Sequence, residues 1–418
     1  MNSGQVRVFV EQLKLGMYVQ ELDRPWLESS FLFQGFIIDS DELLQQVKDS
    51  CEFVFISIEE SLGDIRPHLL TLATQPPPKR AVPTRVIVSP DDNERENFLA
   101  ALRRSRISYD KTRTYIDTAL EDVRLGRAVD TQQARVLVAE LADNIVRSPN
   151  AVMWLTHLKK RDEYTPIHCI NVCILSISFG RCLALSKVDL TELGLGALLH
   201  DLGKMKVPLE ILNKPARLTP EEFELMRQHP TDGYNLVRQD DDMPLASLDI
   251  IKHHHERKNG QGYPDHFLEF NIPLLTQIAA IVDVYDAITS DRCYHDGISP
   301  YDALNDIYHW TTNDFDLQLV EEFIKCLGIY PIGSLVSLST NEVAVVISAS
   351  EKTRLRPIVM LIQDRERKFY KTRNLMNLAH SQWSEGPKAV RIQGIIPPAE
   401  HEIDLRHIIE EESKPTRQ

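Results

Sequence analysis

The sequence predicts a mainly α-helical protein with a small α+β module at the N-terminus and a short β-rich element at the C-terminus. Apolar residues recur with helical spacing through residues 93–160 and again through 164–328, which indicates two successive groups of helices. Near the N-terminus, short alternating segments such as VRVFV and FVFISI are typical of half-buried strands. Further strands are expected in SLVSLSTNEVAVVISASE and PIVMLI, within residues 334–362.

Changes in composition divide the chain into four parts. We expect an N-terminal α+β module over residues 1–72, with a regulatory role, and a linker over 73–92, where ATQPPPKRAVPTRVIVSPDD contains five prolines. A helical domain is expected over 93–330, followed by the β-rich element and a tail at 331–418. The helices at 93–160 either belong to the core or form a dimerising hairpin, so a homodimer is one of the expected states.

The composition argues against several classes of function. With 47 lysines and arginines against 61 aspartates and glutamates, the formal net charge is -14, whereas binding a nucleic-acid polymer requires a basic surface. An anionic small substrate is compatible with this charge if metal ions supply positive charge at the site. The chain lacks an apolar run of the ~20 residues that span a bilayer and lacks a signal peptide, so we expect a cytoplasmic protein. The six cysteines form no CxxC pair, and their spacing predicts no disulfide framework.

Eight of the fourteen histidines lie between residues 168 and 295, a density that points to a common site. His200 continues an apolar helical stripe in LTELGLGALLH, and the adjacent Asp201 is costly to bury unless it is paired or binds a metal. For this pair alone, a buried His–Asp hydrogen bond explains the pattern equally well. His229 ends a helix that starts in TPEEFELM with Thr219 as N-cap, where it could complement the helix dipole.

Three further segments offer inward-facing ligands. In LDIIKHHHE, His254 and His255 lie on neighbouring inward stripes, whereas His253 is expected to face outward. Asp283 lies on an apolar helix face in QIAAIVDVYDAI, and His168 starts another helix. Imidazole and carboxylate donors without thiolate suit divalent ions such as iron, manganese, cobalt, nickel or zinc, with iron or manganese favoured. More than four such ligands, several of them carboxylates, indicate a site with more than one ion. Two such ions can activate a bridging water and clamp a phosphoryl oxygen.

Four motifs resemble those of the HD-GYP proteins, a bacterial branch of the HD-domain metal-dependent phosphohydrolases. They are HDLGK at 200–204, HP..G at 229–233, HHERKNGQGYP at 254–264 and DVYDAITSDRCY at 283–294. The resemblance covers residues 150–330, with a motif core at 164–300, and implies a helical bundle of the HD type. The segment LKLGMYVQELDRPWLESSFLFQGF resembles an uncharacterised module that is often fused ahead of HD-GYP domains.

The resemblance implies a phosphodiesterase that hydrolyses the second messenger cyclic di-GMP to linear pGpG, and further to GMP, by attack of a metal-bridging hydroxide. It assigns catalysis to Asp201, which would bridge two ions, and to Lys204, which would contact the scissile phosphate; without the cluster, Lys204 would be taken for a solvated lysine. The implied metal ligands are His168, His200, Asp201, His229, His254, His255 and Asp283. The implied substrate contacts are Lys204, Tyr263, Asp286 and Arg292. The GYP loop, which would border the site and could dock signalling proteins, contains Gly260, Gly262, Tyr263 and Pro264.

The chain departs from the family pattern at three positions. Members with three metals have a glutamate one turn before His168, where this chain has Tyr164, and the difference favours two ions over three. Cys293 and His295 stand where proline and a basic residue are common, and imidazole is a weaker, pH-dependent phosphate contact.

Within the HHHE stretch, Glu256 is expected either to orient the imidazoles or to pair with a neighbouring cation at the surface.

Two other functions are open on sequence grounds. A cyclic di-GMP sensor or adaptor would act through the GYP surface with slow or absent turnover, although a complete ligand set argues for catalysis. An HD nucleotidase would take another phosphorylated nucleotide, although the GYP motif disfavours it. Because histidine ligands must be neutral to bind metal, activity is expected to fall below about pH 6.5.

Overall fold

The computed structural model describes residues 5–22, 36–51, 53–58, 61–62, 65, 92–158, 164–268, 271–290, 297–310, 314–348, 356–380, 389–396 and 403–414. The chain divides into two compact units, Met1–Val86 and Ile87–Gln418. The predicted linker, apart from Asp92, lies outside the described residues, and so do Arg292, Cys293 and His295. The boundaries of the four predicted parts stay predictions.

The N-terminal unit contains a four-stranded antiparallel sheet and a helix, so its predicted α+β character is confirmed. Its elements are β1 (Gln5–Phe9), β2 (Tyr18–Leu22), β3 (Phe36–Ile37), α1 (Asp41–Ser50) and β4 (Phe53–Ser57). The strand order is β1-β4-β2-β3. Val6 pairs with Ile56 and Val8 with Val54, and all four side chains are buried on one face, which explains the alternation in VRVFV.

Helices dominate the second unit, which confirms the predicted mainly α fold. In chain order they are α2 (Asp92–Arg124), α3 (Thr131–Arg147), α4 (Pro149–Leu155), α5 (Tyr164–Cys182), α6 (Lys187–Leu199), a 3-10 helix (Leu202–Lys206), α7 (Leu209–Leu212), α8 (Pro220–Met226), α9 (His229–Val237), α10 (Leu245–His253), α11 (Leu274–Thr289), α12 (Pro300–Trp310) and α13 (Leu317–Leu327). Much of α5 and α6 is buried on every side, as expected for helices at the centre of a bundle. None of the described helices is both long enough and apolar enough to cross a membrane.

The capped helix α8 ends earlier than the sequence predicts. Its capping box is present, because the Thr219 side chain accepts from Glu222 N and the Glu222 carboxylate accepts from Thr219 N at 2.7 Å. The helix nevertheless ends at Met226, and His229 is the first residue of α9. Pro230 favours this break, because it has no N–H to donate to the carbonyl of Met226 four residues earlier. The prediction that His229 closes a helix and complements its dipole is therefore wrong.

A five-stranded antiparallel sheet follows the helices, as the sequence predicts, and it belongs to the same compact unit as they do. Its order is β8-β7-β6-β5-β9, and the elements are β5 (Leu335–Leu338), β6 (Val343–Ser348), β7 (Ile358–Gln363), β8 (Leu375–Asn377), β9 (Ile392–Ile395) and α14 (Leu405–Ser413). Trp154 of α4 is fully buried and donates through Nε1 to Val346 O at 3.3 Å. The sheet therefore packs against the helices and shares their core.

A disulfide joins Cys182 at the end of α5 to Cys326 in α13, with the Cα atoms 5.9 Å apart. Cysteine spacing predicted no disulfide, and this was wrong because the two residues are separated by 144 positions and meet only through helix packing. Cys169 and Cys173 are free and completely buried, in agreement with their predicted role as small core residues.

Candidate metal centre

The structure brings all seven predicted ligands together in one buried cluster. They come from α5 (His168), the end of α6 (His200 and Asp201), the start of α9 (His229), the end of α10 (His254 and His255) and α11 (Asp283). The potential donor atoms form three overlapping groups, in each of which they lie within 4.8 Å of one another: His168–His200–Asp283, His229–His254–His255 and His200–Asp201–His254. The first two groups share no residue, so the cluster offers two adjacent sites.

Asp201 lies between these two groups and faces both. Its Oδ2 is 3.4 Å from His200 Nε2 and 3.7 Å from His168 Nε2, whereas its Oδ1 is 3.4 Å from His229 Nε2. Asp201 is 1% exposed, so both oxygens are shielded from bulk water. A carboxylate with each oxygen turned to a different imidazole group has the geometry of a bridging ligand.

Backbone carbonyls fix the orientation of three imidazoles. Nδ1 of His200, His229 and His254 donates to the carbonyl oxygen three residues earlier, at 2.7, 2.8 and 3.1 Å respectively. A carbonyl can only accept, so Nδ1 carries a proton in each ring and Nε2 is the nitrogen that faces the cluster. For His229 the accepting carbonyl belongs to Met226, the group that Pro230 leaves without a backbone donor. Because Pro230 of the HP motif cannot donate to the Met226 carbonyl, that carbonyl is left to accept from the neighbouring His229.

His168 is oriented by side chains instead. Its Nδ1 donates to Asp286 Oδ2 at 2.8 Å, and its Nε2 lies 2.9 Å from Asp283 Oδ1. Asp286 also accepts from Asn171 Nδ2 at 3.0 Å and is 1% exposed. The geometry therefore places Asp286 behind His168, on the side of the ring that faces away from the cluster, and the predicted contact of Asp286 with substrate stays a prediction. Asn171, which no motif singled out, completes this support.

Bound divalent ions explain the positions of the ligand atoms better than hydrogen bonds between these atoms do. His200 Nε2 and Asp201 Oδ1 are buried and have no hydrogen-bond partner among the described residues. His229 Nε2 and His254 Nε2 lie 3.3 Å apart although both carry lone pairs. Two nitrogen ligands of one ion, at bonds of about 2.1 Å, lie roughly 3.0–3.4 Å apart. A cation between them would satisfy atoms that are otherwise costly to bury.

The charge states of the cluster suit metal binding. Burial lowers the pKa of His254 and His255 well below the ordinary value, and neighbouring imidazoles lower it further, so both rings are neutral. Burial raises the pKa of Asp201, but His200 and Lys204 outweigh this and hold it well below its usual range. His168 differs, because the hydrogen bonds to Asp283 and Asp286 outweigh its burial and raise its pKa to about 9.

Gly203 and Lys204 explain the last two positions of the HDLGK motif. A Cβ on Gly203 would lie only 1.9 Å from His229 O, so the 3-10 helix can approach α9 this closely only with glycine here. The chain then places Lys204 three residues after Asp201, with Nζ 2.6 Å from Asp201 Oδ2. Gly233, the last residue of the HP..G motif, lies on the other side of the same contact.

The GYP loop packs directly against the cluster. The Tyr263 ring stacks on the His255 ring, with centroids 4.7 Å apart and planes at 29°. A Cβ on Gly262 would lie 2.4 Å from Arg257 N and from Glu256 Cα, so this residue must also be glycine. Gly260 has a φ of +73°, and the Tyr263–Pro264 peptide bond is cis. The loop thus covers one ligand of the cluster with an aromatic ring.

Glu256 and His253 hold the segment that follows this loop, which the sequence did not predict. Glu256 is 2% exposed, and its two oxygens accept from Asp265 N at 2.7 Å and from Phe267 N at 3.0 Å. His253 faces away from the cluster as predicted, but it is buried, with Nε2 3.0 Å from Asp265 Oδ2 and its ring on Phe267. The prediction of a Glu256 that orients imidazoles or pairs at the surface was wrong, because the segment at 265–267 covers this residue and its backbone N–H groups donate to the carboxylate.

The fold and the ligand cluster define a metal-dependent phosphohydrolase of the HD type. A family model described as HD domain matches residues 133–319, and one described as Domain of unknown function (DUF3391) matches residues 5–134. The chain is 38% identical over 358 residues to the cyclic di-GMP phosphodiesterase PA4108 of Pseudomonas aeruginosa, with 84% of each chain covered. The chain therefore belongs to the HD-GYP family.

One further relative matches a smaller part of the chain, and one solved structure aligns with it. The chain is 37% identical over 167 residues to a cyclic di-GMP phosphodiesterase of Thermotoga maritima, which covers 40% of this chain and 45% of that one. Among solved structures, the HDG"Y"P protein Bd1817 of Bdellovibrio bacteriovorus aligns over 76% of this chain and 98% of its own, with a TM-score of 0.46 and 18% identity.

Proposed function

We infer that this chain is a metal-dependent phosphodiesterase that hydrolyses cyclic di-GMP to linear pGpG. The observation that carries the inference is the buried cluster of two adjacent ligand groups joined by Asp201, with Lys204 at its edge. Such a site suits hydrolysis of a phosphodiester. The substrate follows from the relatives, since the chain matches a cyclic di-GMP phosphodiesterase along most of its length.

The residues present would hold two divalent ions. One ion would be bound by His168, His200 and Asp283, the other by His229, His254 and His255, with Asp201 shared. Nitrogen and carboxylate donors without thiolate suit iron or manganese. The position one turn before His168 is Tyr164, which offers no carboxylate for a third ion. When bound, ions of this kind supply a water of lowered pKa and positive charge for a phosphoryl group.

The side chains around the ligands prepare the site for an anion. Lys204 holds its ammonium group 2.6 Å from Asp201 Oδ2, at the edge of the cluster, where it can contact a non-bridging oxygen of the scissile phosphate. Tyr263 covers His255 and excludes water from that side. The buried surroundings strengthen the interaction of these charges with a phosphate. The same arrangement can accept pGpG after the first cut, which would give GMP.

Turnover of cyclic di-GMP by the purified chain, loaded with iron or manganese under reducing conditions, tests the function. We expect the metal-loaded enzyme to form pGpG first and GMP at longer times. Asp201→Ala should lose bound metal and activity while circular dichroism stays helical, because it removes the carboxylate whose two oxygens face the two ligand groups. Tight binding of cyclic di-GMP without turnover would favour the sensor, and turnover of another nucleotide alone would favour the nucleotidase.

Several associated features stay predictions. Signalling proteins could dock on the GYP loop, and residues 93–160 could form a homodimer. A cytoplasmic location is expected for an enzyme that removes an intracellular second messenger.

A further inference from the structure

Among the residues that the structure describes, no cation has yet been assigned to the phosphate of the proposed substrate that is not cut. Cyclic di-GMP has two phosphodiesters, each with one negative charge, and this chain has a net charge of -14. Lys204 and the ligand cluster would hold the scissile phosphate. Of the other expected contacts, Asp286 is buried behind His168, and Arg292 lies outside the described residues. A second cation beside the GYP loop would complete the site.

Arg227 is such a cation, and two aromatic rings hold it next to the loop. Its guanidinium carbon lies 4.8 Å from the centroid of the Tyr263 ring and 5.9 Å from that of Phe223. The other side of the stack is formed by His255, whose ring lies 4.7 Å from Tyr263. A continuous stack therefore connects the guanidinium to a predicted metal ligand, and aromatic faces hold cations in place.

The hydrogen-bonding capacity of Arg227 is mostly unused. Nη1 donates to Glu224 Oε1 at 2.9 Å, and the guanidinium has four other N–H groups that reach no partner among the described residues. Glu224 has 66% of its side chain exposed, so this ion pair is weak and is easily exchanged for a stronger acceptor. Arg227 itself is only 25% exposed. A largely buried guanidinium with free donors is well prepared to bind a phosphate.

Neighbouring cations are already committed to the protein. Arg257 donates through Nη1 to His254 O and Glu256 O and lies over the Phe315 ring. Lys252 donates to Asp265 Oδ2 at 2.5 Å. These three hydrogen bonds hold the ends of the GYP segment, so neither Arg257 nor Lys252 can turn to a substrate without loss of these contacts. Arg227 is not bound in this way.

We propose that Arg227 binds the phosphate of the cyclic dinucleotide that is not being cut. The proposal rests on the proposed function, because it assumes a substrate with a second phosphodiester. Arg227 contacts the substrate and keeps it in place while the scissile phosphate lies at the ligand cluster. Its loss should weaken binding of the substrate and leave the chemical step nearly intact.

Steady-state kinetics of Arg227→Gln on two substrates test this assignment. On cyclic di-GMP, KM should rise about 10- to 100-fold with kcat changed by less than about threefold, because charge-assisted hydrogen bonds are lost from binding. On bis(p-nitrophenyl) phosphate, which has a single phosphodiester, kcat/KM should change by less than about twofold. Arg227→Lys should give an intermediate KM, and the effect should shrink at high salt.

A matched control is Arg238→Gln, because Arg238 also lies over a tyrosine ring, that of Tyr234 at 5.7 Å, but outside the GYP stack. It should leave both substrates unaffected. Metal content should equal that of the wild type in every variant. Equal losses on both substrates, or loss of metal, would show that Arg227 only braces Tyr263 and would overturn the proposal, as would an unchanged KM for cyclic di-GMP.

A change of base in the substrate distinguishes a contact with the phosphate from a contact with guanine. With 3′3′-cyclic GMP–AMP, as substrate or competitor, Arg227→Gln should be impaired as much as with cyclic di-GMP, since the phosphates are the same. A penalty confined to guanine would assign Arg227 to a base and overturn the phosphate assignment. If the wild type cleaves bis(p-nitrophenyl) phosphate but neither binds nor cleaves cyclic dinucleotides, the proposed function itself fails, and this proposal with it.

Discussion

Asp286 holds His168 from the side opposite to the ligand cluster, with Oδ2 accepting from His168 Nδ1 at 2.8 Å. The two residues lie on different helices and are separated by 118 positions. Carboxylates that bind the far nitrogen of a metal-ligating histidine fix the ring and raise its basicity. We therefore expect Asp286 to act as a positioning residue for the group that contains His168, His200 and Asp283.

Asp286→Asn should weaken metal binding at this group. The amide oxygen can still accept from Nδ1, but the negative charge is lost, so we expect the metal affinity to fall about 10- to 100-fold. Titration of the metal-depleted variant with manganese measures the change. Asp249→Asn is a suitable control, because Asp249 lies 3.4 Å from Nδ1 of His253, which is not a predicted ligand. Equal affinities for Asp286→Asn and the wild type would contradict the positioning role.

Metal uptake by the metal-depleted protein should release a proton from His168. The pKa of His168 is raised to about 9, because the hydrogen bonds to Asp283 and Asp286 outweigh the effect of burial. Below pH 9 the ring is therefore protonated, and an ion must displace the proton before Nε2 can bind it. Affinity should rise with pH up to about 9 and then level off.

The second ligand group should behave differently. The pKa of His254 and His255 lies well below the ordinary value and that of His229 is also lowered, chiefly through burial, so these rings have no proton to release at neutral pH. Calorimetry at pH 7.5 in buffers of different ionisation enthalpy should thus detect a proton with one of the two ions only. No proton release with either ion would contradict the assigned charge of His168.

The ligand positions could be predicted from the sequence because their polarity differs from that of the residues around them. His200 and Asp283 are polar residues on apolar helix faces, which is costly unless they bind something. The supporting residues leave no such local signal. The partners of Glu256 lie in the chain that follows the GYP loop, and the role of Arg227 depends on Tyr263 from a different motif. Which segments meet is decided by packing, and a single sequence does not contain that information in local form.

Glu256→Gln should loosen the GYP loop. The carboxylate accepts from Asp265 N and from Phe267 N, whereas a carboxamide can accept from one of them only and would point a donor at the other. The mismatch at a buried site should cost about 1–3 kcal/mol of unfolding free energy. Hydrogen exchange of the amides at 262–268 should become faster, and metal content should not change. Glu224→Gln, at a side chain that is 66% exposed, should change neither the unfolding free energy nor the exchange of these amides.

Pro230→Ala should affect stability and metal binding in opposite directions. An alanine supplies the N–H that can donate to Met226 O, so α8 and α9 can join, and the unfolding free energy of the metal-depleted protein should stay equal or rise. The same bond takes the carbonyl that now orients the His229 ring through Nδ1. Metal affinity at the group of His229, His254 and His255 should then fall about 10-fold or more. Pro220→Ala, at the first residue of α8, leaves that carbonyl untouched and should keep full affinity. A Pro230→Ala protein with wild-type metal affinity would show that the imidazole does not need this partner.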